Sequence, residues 1–415
     1  MGAKRWACTA TVTLLGAGMG MLGPLNGAEA VSVRHRSIAA APAPSGIGGA
    51  GPVEPRGAEP SPKSESRTLW TWGANGVGNL GDGTTADRHT PTRIGRATSW
   101  SVVAAGAGYT CAIRTDGRLW CWGGNSYGEL GDGTTTERHS PTRIGHGSDW
   151  AGVTAGPTHT CAIRRSRTLW CWGENLGGQL GDGTTTERHS PTRVGHANDW
   201  IYANVGFQYT CAIRTDSTLW CWGDNWYGEL GDGTTTDRYA PTRVGNGTTW
   251  RGVAAGTGHT CAIRADRTLW CWGRNGEGQL GDGTTTERHT PTRIGHGRNW
   301  SYLSGGNFFT CATRTDHTLW CWGRNTYGQL GDGTRKTRRT PTRVGRADNW
   351  NYVSAGDFHA CAVRTSRTLW CWGYNRFGQL GDGTTTDRRT PKRVGHAGDW
   401  RHLSAGMLHT AALRG

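Results

Sequence analysis

The sequence predicts an all-β fold, a seven-bladed β-propeller of 50-residue repeats in which strands from both termini complete one blade. Three features predict it: a strict repeat, about four strand-sized runs per copy, and an array that opens and closes within a repeat. The motif Leu-Trp-x-Trp-Gly recurs every 50 residues without insertion, beginning at Leu69, Leu119, Leu169, Leu219, Leu269, Leu319 and Leu369. Four-stranded units of this kind close into a ring that leaves only short strand edges.

The repeat that starts at Trp150 shows the parts of one blade. Its short runs cover residues 152–155, 159–164, 168–172 and 191–194, separated by Gly-, Asp- and Ser-containing segments. None has a helical period, so each is interpreted as a strand. The array begins with a third run, at residues 68–72, and ends with a second run, at residues 409–414. One blade must therefore combine strands from both ends of the chain, which would lock the ring.

Cysteine spacing predicts one disulfide in each of six blades. An antiparallel hairpin turning near Asp116 places Cys111 opposite Cys121, within disulfide reach. Zinc is disfavoured, because no Cys-x-x-Cys occurs and two thiolates make an incomplete site. In the remaining blade Thr71 and Ala411 take the two positions, so both halves of that pair are missing together. The predicted pairs are Cys111–Cys121, Cys161–Cys171, Cys211–Cys221, Cys261–Cys271, Cys311–Cys321 and Cys361–Cys371.

The first 66 residues are not expected to belong to the propeller. Residues 1–30 predict a secretory signal peptide, with a basic start at Lys4 and Arg5, a mostly apolar stretch and an Ala-x-Ala cleavage site ending at Ala30. Cys8 would leave with this peptide. Residues 31–66, rich in Pro, Ala, Gly and Ser, predict a disordered or extended linker, and residues 67–415 the propeller. We therefore expect a secreted, extracellular monomer with no membrane span after signal removal.

Three segments resemble the regulator-of-chromosome-condensation repeat: Asn-x-x-Gly-x-Leu-Gly-Asp-Gly-Thr from Asn125, Gly-x-x-His-Thr from Gly156 and Leu-Trp-Cys-Trp-Gly from Leu169. The resemblance implies a seven-bladed propeller over residues 67–415. The founding member is a chromatin-bound nucleotide-exchange factor that uses a projecting β-wedge, and no 50-residue repeat here carries an insertion for one. Another relative is a secreted bacterial propeller that inhibits β-lactamases through one face. That likeness implies a protein-binding surface and transfers no contact residue.

Residues that recur in every copy are interpreted as scaffold. Asp132 is expected to cap a turn through backbone amides, although with Glu137 it could be imagined as a calcium ligand. Where one copy has His159, others have Tyr109 or Phe309, which indicates a packed ring rather than a metal ligand or proton relay. Without a nucleophile elbow, phosphate loop or metal motif, we predict no catalytic residue, metal or cofactor. A hydrolase or lyase is an alternative, through the variable carboxylates Glu129, Glu174, Asp224 and Glu229.

Positions that differ between copies carry the prediction of function. Hairpin geometry places the start of the second strand and the end of the third strand at one face of the ring. Aromatic and arginine residues, which dominate the energetic centres of protein interfaces, are frequent there. Neutral variation of exposed loops is the alternative. We predict that this face binds an extracellular or cell-envelope protein through Trp226, Tyr227, Arg274, Arg324, Tyr327 and Phe377, with Phe308, Phe358 and Tyr374 among the other variable residues.

Charge indicates a further alternative. The chain carries 46 Lys and Arg against 31 Asp and Glu, a formal net charge of +15. Basic hairpin turns at the opposite face would attract anionic polymers, as in an adhesive binder of anionic or glycan cell-envelope polymers. Pairing of these arginines with recurring Asp and Glu is the simpler interpretation. The residues concerned are Arg118, Arg165, Arg167, Arg267, His317 and Arg367.

Overall fold

Strands account for all the regular secondary structure in the computed structural model, which describes residues 66–247 and 249–415. The predicted signal peptide, and the predicted linker apart from Ser66, lie outside these residues. Within the described part, 28 strands form seven four-stranded antiparallel sheets, and no helix occurs. The predicted all-β seven-bladed propeller is therefore confirmed.

Six blades follow the order of the chain. Blade 1 has β3 (Trp100–Ala105), β4 (Tyr109–Arg114), β5 (Leu119–Gly123) and β6 (Arg138–Arg143), and blade 2 has β7 (Trp150–Ala155), β8 (His159–Arg164), β9 (Leu169–Gly173) and β10 (Arg188–Arg193). Blade 3 has β11 (Trp200–Val205), β12 (Tyr209–Arg214), β13 (Leu219–Gly223) and β14 (Arg238–Arg243), and blade 4 has β15 (Trp250–Ala255), β16 (His259–Arg264), β17 (Leu269–Gly273) and β18 (Arg288–Arg293). Blade 5 has β19 (Trp300–Gly305), β20 (Phe309–Arg314), β21 (Leu319–Gly323) and β22 (Arg338–Arg343), and blade 6 has β23 (Trp350–Ala355), β24 (His359–Arg364), β25 (Leu369–Gly373) and β26 (Arg388–Arg393).

Blade 7 joins the two ends of the described chain. Its sheet places β27 (Trp400–Ala405) and β28 (His409–Arg414) beside β1 (Thr68–Gly73) and β2 (Arg88–Arg93), in the order β2-β1-β28-β27. Strands β1 and β28 pair in an unbroken antiparallel register in which Thr71 faces Ala411. The predicted closure is confirmed, and the ring is held shut at this blade by strand pairing rather than by a covalent link.

The six predicted disulfides are all present in the described chain. Each joins the second and third strands of one of blades 1 to 6 at directly opposed positions, with a Cα–Cα distance of 4.1 Å. Cys8 lies outside the described residues. The register follows from the short hairpin, because a sequence separation of ten places the two cysteines opposite each other, on the same face of a two-stranded ribbon.

The two tryptophans of the Leu-Trp-x-Trp-Gly motif lie two residues apart on the third strand, so period-two alternation places them on the same face. In blade 2, Trp150 of the first strand contacts both, with ring centroids 6.4 Å from that of Trp170 and 6.2 Å from that of Trp172. Trp122 is fully buried in the core, whereas Trp120, nearer the hairpin turn, is half-buried. The guanidinium carbon of Arg114 lies 4.9 Å from the Trp100 ring centroid and 4.4 Å from the Trp120 ring centroid. The interpretation of these tryptophans as scaffold is confirmed, and a cation–π contact packs the Arg114 guanidinium group against the half-buried Trp120 ring.

Neighbouring blades are joined by side chains that bond to the backbone of the preceding blade. The carbonyl of Glu129 in blade 1 accepts hydrogen bonds from Nε1 of Trp172, at 2.9 Å, and Oγ1 of Thr160, at 2.7 Å, both in blade 2. The same carbonyl position is used around the ring, so the recurring Thr and Trp fix the angle between blades. These buried bonds satisfy polar groups that would otherwise be costly inside the seam.

The position of His159 lies in the same seam. Its Nε2 lies 2.9 Å from Oγ1 of Thr210 in the next blade, and that hydroxyl donates to the carbonyl of Gln179 at 2.8 Å. The predicted packing role is confirmed by complete burial, but a hydrogen bond between blades is added to it. Phe309 cannot make this bond, and the facing residue of the next blade is Ala360 instead of threonine. The polar pair is therefore replaced as a unit by an apolar pair.

The recurring aspartate caps a turn, as predicted. Oδ1 of Asp132 accepts from the Thr134 backbone amide at 3.0 Å, and Oδ2 accepts from Nε of Arg138 at 2.8 Å. Both carboxylate oxygens are thus engaged by the protein. These bonds depress the pKa of Asp132 despite its partial burial.

At one end of the ring, the loops between first and second strands touch those of the next blade. The Ala107 amide donates to the Gly156 carbonyl at 3.3 Å. A Cβ atom on Gly106 would lie 2.6 Å from that carbonyl oxygen, so only glycine allows the approach. These close contacts narrow this end of the ring, and the central cavity opens at the other end.

Candidate functional site

Because successive strands of a blade are antiparallel, the connections between them lie alternately at the two ends of the ring, which form two distinct faces. The loop face carries the connections between first and second strands and between third and fourth strands, residues 106–108 and 124–137 in blade 1. The hairpin face carries the turns between second and third strands, residues 115–118 in blade 1. The predicted face with Trp226 is the loop face, and the predicted basic turns lie on the hairpin face.

On the loop face, arginine and aromatic side chains pack across blade boundaries. The Arg274 guanidinium carbon in blade 4 lies 4.9 Å from the Tyr227 ring centroid in blade 3 and 4.3 Å from that of Phe308 in blade 5. Nη1 of Arg274 also donates to the Tyr227 hydroxyl at 3.4 Å. The Arg324 guanidinium carbon lies 6.0 Å from the same Phe308 ring centroid. These contacts connect three blades.

A second cluster continues the row into blade 6. The Tyr327 ring centroid lies 5.6 Å from that of Phe358 and 4.8 Å from that of Tyr374. Tyr374 in turn lies 6.4 Å from Phe377. We call the two clusters together the aromatic arc: Tyr227, Arg274, Phe308, Arg324, Tyr327, Phe358, Tyr374 and Phe377.

Trp226 stands apart from this arrangement. It is 56% exposed, and no ring contact involves it among the described residues. Five of the six predicted site residues therefore belong to the aromatic arc, and Trp226 lies beside it as an exposed indole. The large exposed area remains consistent with a contact residue, since tryptophan is enriched at the centre of interfaces.

Three members of the aromatic arc were not among the six predicted site residues: Phe308, Phe358 and Tyr374. All three occupy variable positions, so the signal was present in the repeat alignment. What the alignment lacks is the distance between a loop of one blade and the next blade. The pairing of Phe308 with Arg274 depends on that distance.

Phe308 adopts a backbone conformation that favours glycine. Its φ is 61°, and the equivalent residue in blade 4 is Gly258, with φ 67°. A bulky side chain in this region costs on the order of 1–3 kcal/mol and is typical of functional sites. The contacts of Phe308 with two arginines offset part of that cost.

On the hairpin face, a funnel opens at the centre of the ring. All seven first strands line its cavity of about 1520 Å³. Of the basic residues predicted on this face, all but Arg118 line the funnel: Arg165, Arg167, Arg267, His317 and Arg367. Arg118 pairs with Asp116 at 3.5 Å, as the simpler interpretation expected. Arg165, Arg167, Arg267 and Arg367 make no ion pair with any described residue, so that interpretation is wrong for them.

The repeat decides the family. The regulator of chromosome condensation (RCC1) repeat matches residues 68–113, 116–163, 168–213, 216–263, 267–313, 316–363 and 368–413. This chain belongs to the RCC1 repeat family. A second description of the same repeat matches five of the units.

Solved structures with the RCC1 fold resemble the chain at low identity. Human WBSCR16 has 20% identity and a TM-score of 0.76, over 84% of this chain and 99% of its own. Prp20p from Saccharomyces cerevisiae, described with its binding to Gsp1p and histones, has 19% identity and a TM-score of 0.75, over 85% and 92%. Yeast RCC1 (Prp20) bound to Kap60 has 18% identity and a TM-score of 0.76, over 93% and 96%. No curated protein sequence matches the chain.

In this RCC1 propeller the variable carboxylates lie on the loop face of blades 1 to 3, and in blade 3 Glu229 accepts a hydrogen bond from the backbone amide of Tyr227, an aromatic-arc residue, at 2.7 Å. Burial raises the pKa of Glu129 to about 7 and raises that of Glu174. Glu174 accepts from the Thr158 hydroxyl and, at 3.4 Å, from Nε2 of Gln208.

Asp224 and Glu229 share a hydrogen bond within blade 3. Burial and repulsion from Asp237 raise the pKa of Asp224, and burial and repulsion from Asp224 raise the pKa of Glu229. This acidic pair lies within one loop and not across the ring.

Within residues 66–247 and 249–415, no three His, Cys, Asp or Glu side chains are grouped so as to hold a metal ion. The same residues contain no helix that could cross a bilayer.

Proposed function

We propose that this RCC1 propeller is an extracellular binding module that recognises a protein partner through the aromatic arc and Trp226. The observation that carries the proposal is the aromatic arc itself, two clusters of aromatic and arginine side chains over blades 3 to 6 whose members Arg324 and Tyr327 share one loop. Rigid rings backed by guanidinium groups provide contact area with little loss of conformational entropy on binding. Relatives of the same fold are described with protein partners, which supports this class of function.

The extracellular setting rests on the disulfides and on the leader predicted from the sequence. Six buried cystine bridges in the described chain are typical of an oxidising compartment. The likeness to a secreted β-lactamase inhibitor stays an expectation from the sequence, and the partner is proposed only as an extracellular or cell-envelope protein.

The test compares two variants in pull-downs from envelope fractions and culture supernatant, followed by titration of the purified partner. The loop-face variant carries Trp226→Ser, Arg274→Ala and Phe308→Gly, each copied from an equivalent position of another blade. We expect it to lose a protein that the wild-type propeller retains at moderate salt.

The control variant carries Arg167→Gly and Arg267→Gly on the hairpin face, and should retain that protein. Equal retention by the wild type and the loop-face variant would show that the aromatic arc is neutral variation.

A further inference from the structure

We propose that the central funnel is a separate binding site for an acidic oligosaccharide, a short chain of sugar rings bearing carboxylate or sulfate groups. This inference does not depend on the loop-face proposal, because the funnel opens at the opposite end of the ring. Its volume of about 1520 Å³ exceeds the roughly 300–1,000 Å³ of pockets for drug-sized molecules. Several linked sugar rings fit this size.

The lining of the funnel carries charge of one sign. It includes nine arginines and two histidines, and no Asp or Glu. Some of these arginines are scaffold, since Arg164 and Arg314 lie over tryptophan rings. Five others make no ion pair with a described residue, and a concave wall concentrates their potential on an entering anion. They are Arg165, Arg167, Arg251, Arg267 and Arg367.

Three of these arginines occupy positions where the turn favours glycine. Arg167, Arg267 and Arg367 have φ values of 59°, 62° and 59°. Blade 1 makes the same turn with Gly117, at φ 79°. The turn therefore forms without an arginine. In the other three blades an arginine is present although the backbone conformation favours glycine. Guanidinium groups bind carboxylate and sulfate oxygens through paired N–H donors.

Farther from the hairpin turns, the first strands add aromatic side chains to the wall. Tyr302 and Tyr352 lie with ring centroids 5.7 Å apart, and His402 and Tyr202 also line the cavity. Nδ1 of His402 is buried without a hydrogen-bond partner, and burial lowers the pKa of this imidazole to about 4. A neutral imidazole suits a hydroxyl group, which both donates and accepts. A basic rim above a wall that contains aromatic rings matches sugar rings that carry acidic substituents.

The test is calorimetric titration of the purified protein in about 0.15 M salt. The probes are a heparin-derived tetrasaccharide, tetragalacturonate, the uncharged maltotetraose and a thymidine oligonucleotide. We expect at least one acidic sugar to bind and maltotetraose not to bind. Sulfate and carboxylate as the recognised group are distinguished by the first two probes.

Two charge-matched variants locate the site. Arg167→Gly/Arg267→Gly/Arg367→Gly removes three charges at the funnel rim, and we expect it to weaken binding by about tenfold or more without lowering the melting temperature. Lys336→Thr/Arg339→His/Arg389→His removes three formal charges from the outer edge, using residues found at those positions in other blades. It should bind like the wild type.

Three results would overturn the proposal. Equal weakening in both variants would mean diffuse surface charge. Tighter binding of the oligonucleotide, lost in the rim variant, would make the funnel a nucleic-acid site. Failure of both acidic sugars to bind would leave the funnel without the assigned ligand. Because the aromatic arc is unchanged in these variants, each result is independent of partner recognition at the loop face.

Discussion

At the residue scale, a buried histidine in each of several seams must stay neutral. Burial lowers the pKa of His159 and His359 to about 3 and that of His259 and His409 to about 4. In the unfolded chain a histidine titrates near 6.5. Below that pH the unfolded state binds more protons, so the stability present above pH 6.5 is lost as the pH falls through the folded pKa.

The Phe309–Ala360 pair provides a test of this loss of stability at low pH. His159→Phe/Thr210→Ala copies it and removes one titrating group from the seam. As the pH falls from 6.5 to 4, we expect the free energy of unfolding to decrease more steeply in the wild type than in the double variant. The difference in slope is about 1.4 kcal/mol per pH unit for this histidine. Denaturant unfolding at several pH values measures the slope. Thr210→Ala alone keeps His159 and should keep the wild-type slope; a double variant with that same slope would contradict the argument.

Asp357 contributes a pH dependence of the free energy of unfolding that is opposite in sign to that of the histidines. It is fully buried, both carboxylate oxygens lack a partner among the described residues, and burial raises its pKa far above the usual range. The unfolded aspartate ionises near pH 3.9, so stability present below that pH is lost as the pH rises towards the folded pKa.

We expect Asp357→Asn to raise the free energy of unfolding at pH 7 by more than about 1 kcal/mol, with the gain shrinking towards pH 4. Paired denaturant titrations of variant and wild type at these two pH values are sufficient. A gain that does not change with pH would indicate packing rather than ionisation as its cause.

At the element scale, the central hairpin of each blade is held by a disulfide in six blades and without one in blade 7. There Oγ1 of Thr71 donates to the Leu80 carbonyl at 2.8 Å, and Ala411 lies opposite. The hairpin therefore forms without the covalent bond, which adds stability mainly by restricting the unfolded chain.

Cys211→Ala/Cys221→Thr copies the blade 7 pair into blade 3. We expect a loss of about 2–3 kcal/mol in the free energy of unfolding, with the blade still folded. Near-ultraviolet circular dichroism checks the fold, and denaturant unfolding measures the loss. Complete unfolding of the variant would mean that this bridge is required to form the sheet.

At the scale of the whole molecule, the ring depends on the pairing of β1 with β28. Thr71→Cys/Ala411→Cys would place a seventh disulfide in the same register as the other six of the described chain. Because the bridge would close a loop of nearly the whole propeller, the expected stabilisation is about 5 kcal/mol, larger than for a single hairpin. Unfolding with and without reductant, in the variant and in the wild type, isolates the effect of the new bridge. A gain no larger than that of a hairpin disulfide would mean that the two ends stay paired in the denatured state.

The two faces of the ring also follow from the whole molecule. Close contacts between blades tighten the loop face, as at Gly106, and leave the cavity open at the hairpin face. The aromatic arc and the funnel are therefore separate surfaces, so changes at one should leave binding at the other intact.

The sequence by itself determined the strands, the seven blades, the disulfide pairs and the closure. A period of 50 residues aligns every copy, and strand alternation then assigns each side chain to a face. The joint loss of both cysteines at Thr71 and Ala411 was enough to pair the two ends of the propeller. These features depend on neighbours in the chain or on exact repetition.

Only the tertiary structure decided which variable residues meet. Phe308 contacts Arg274, and Arg167 and Arg267 line one funnel, because the blades are arranged around a common axis. The 50-residue period does not give the distances between side chains of different repeats. The hydrogen bond from His159 to the next blade was likewise hidden, since its partner Thr210 is 51 residues away. Local pattern predicts elements, whereas a surface shared by several blades arises from how those blades pack.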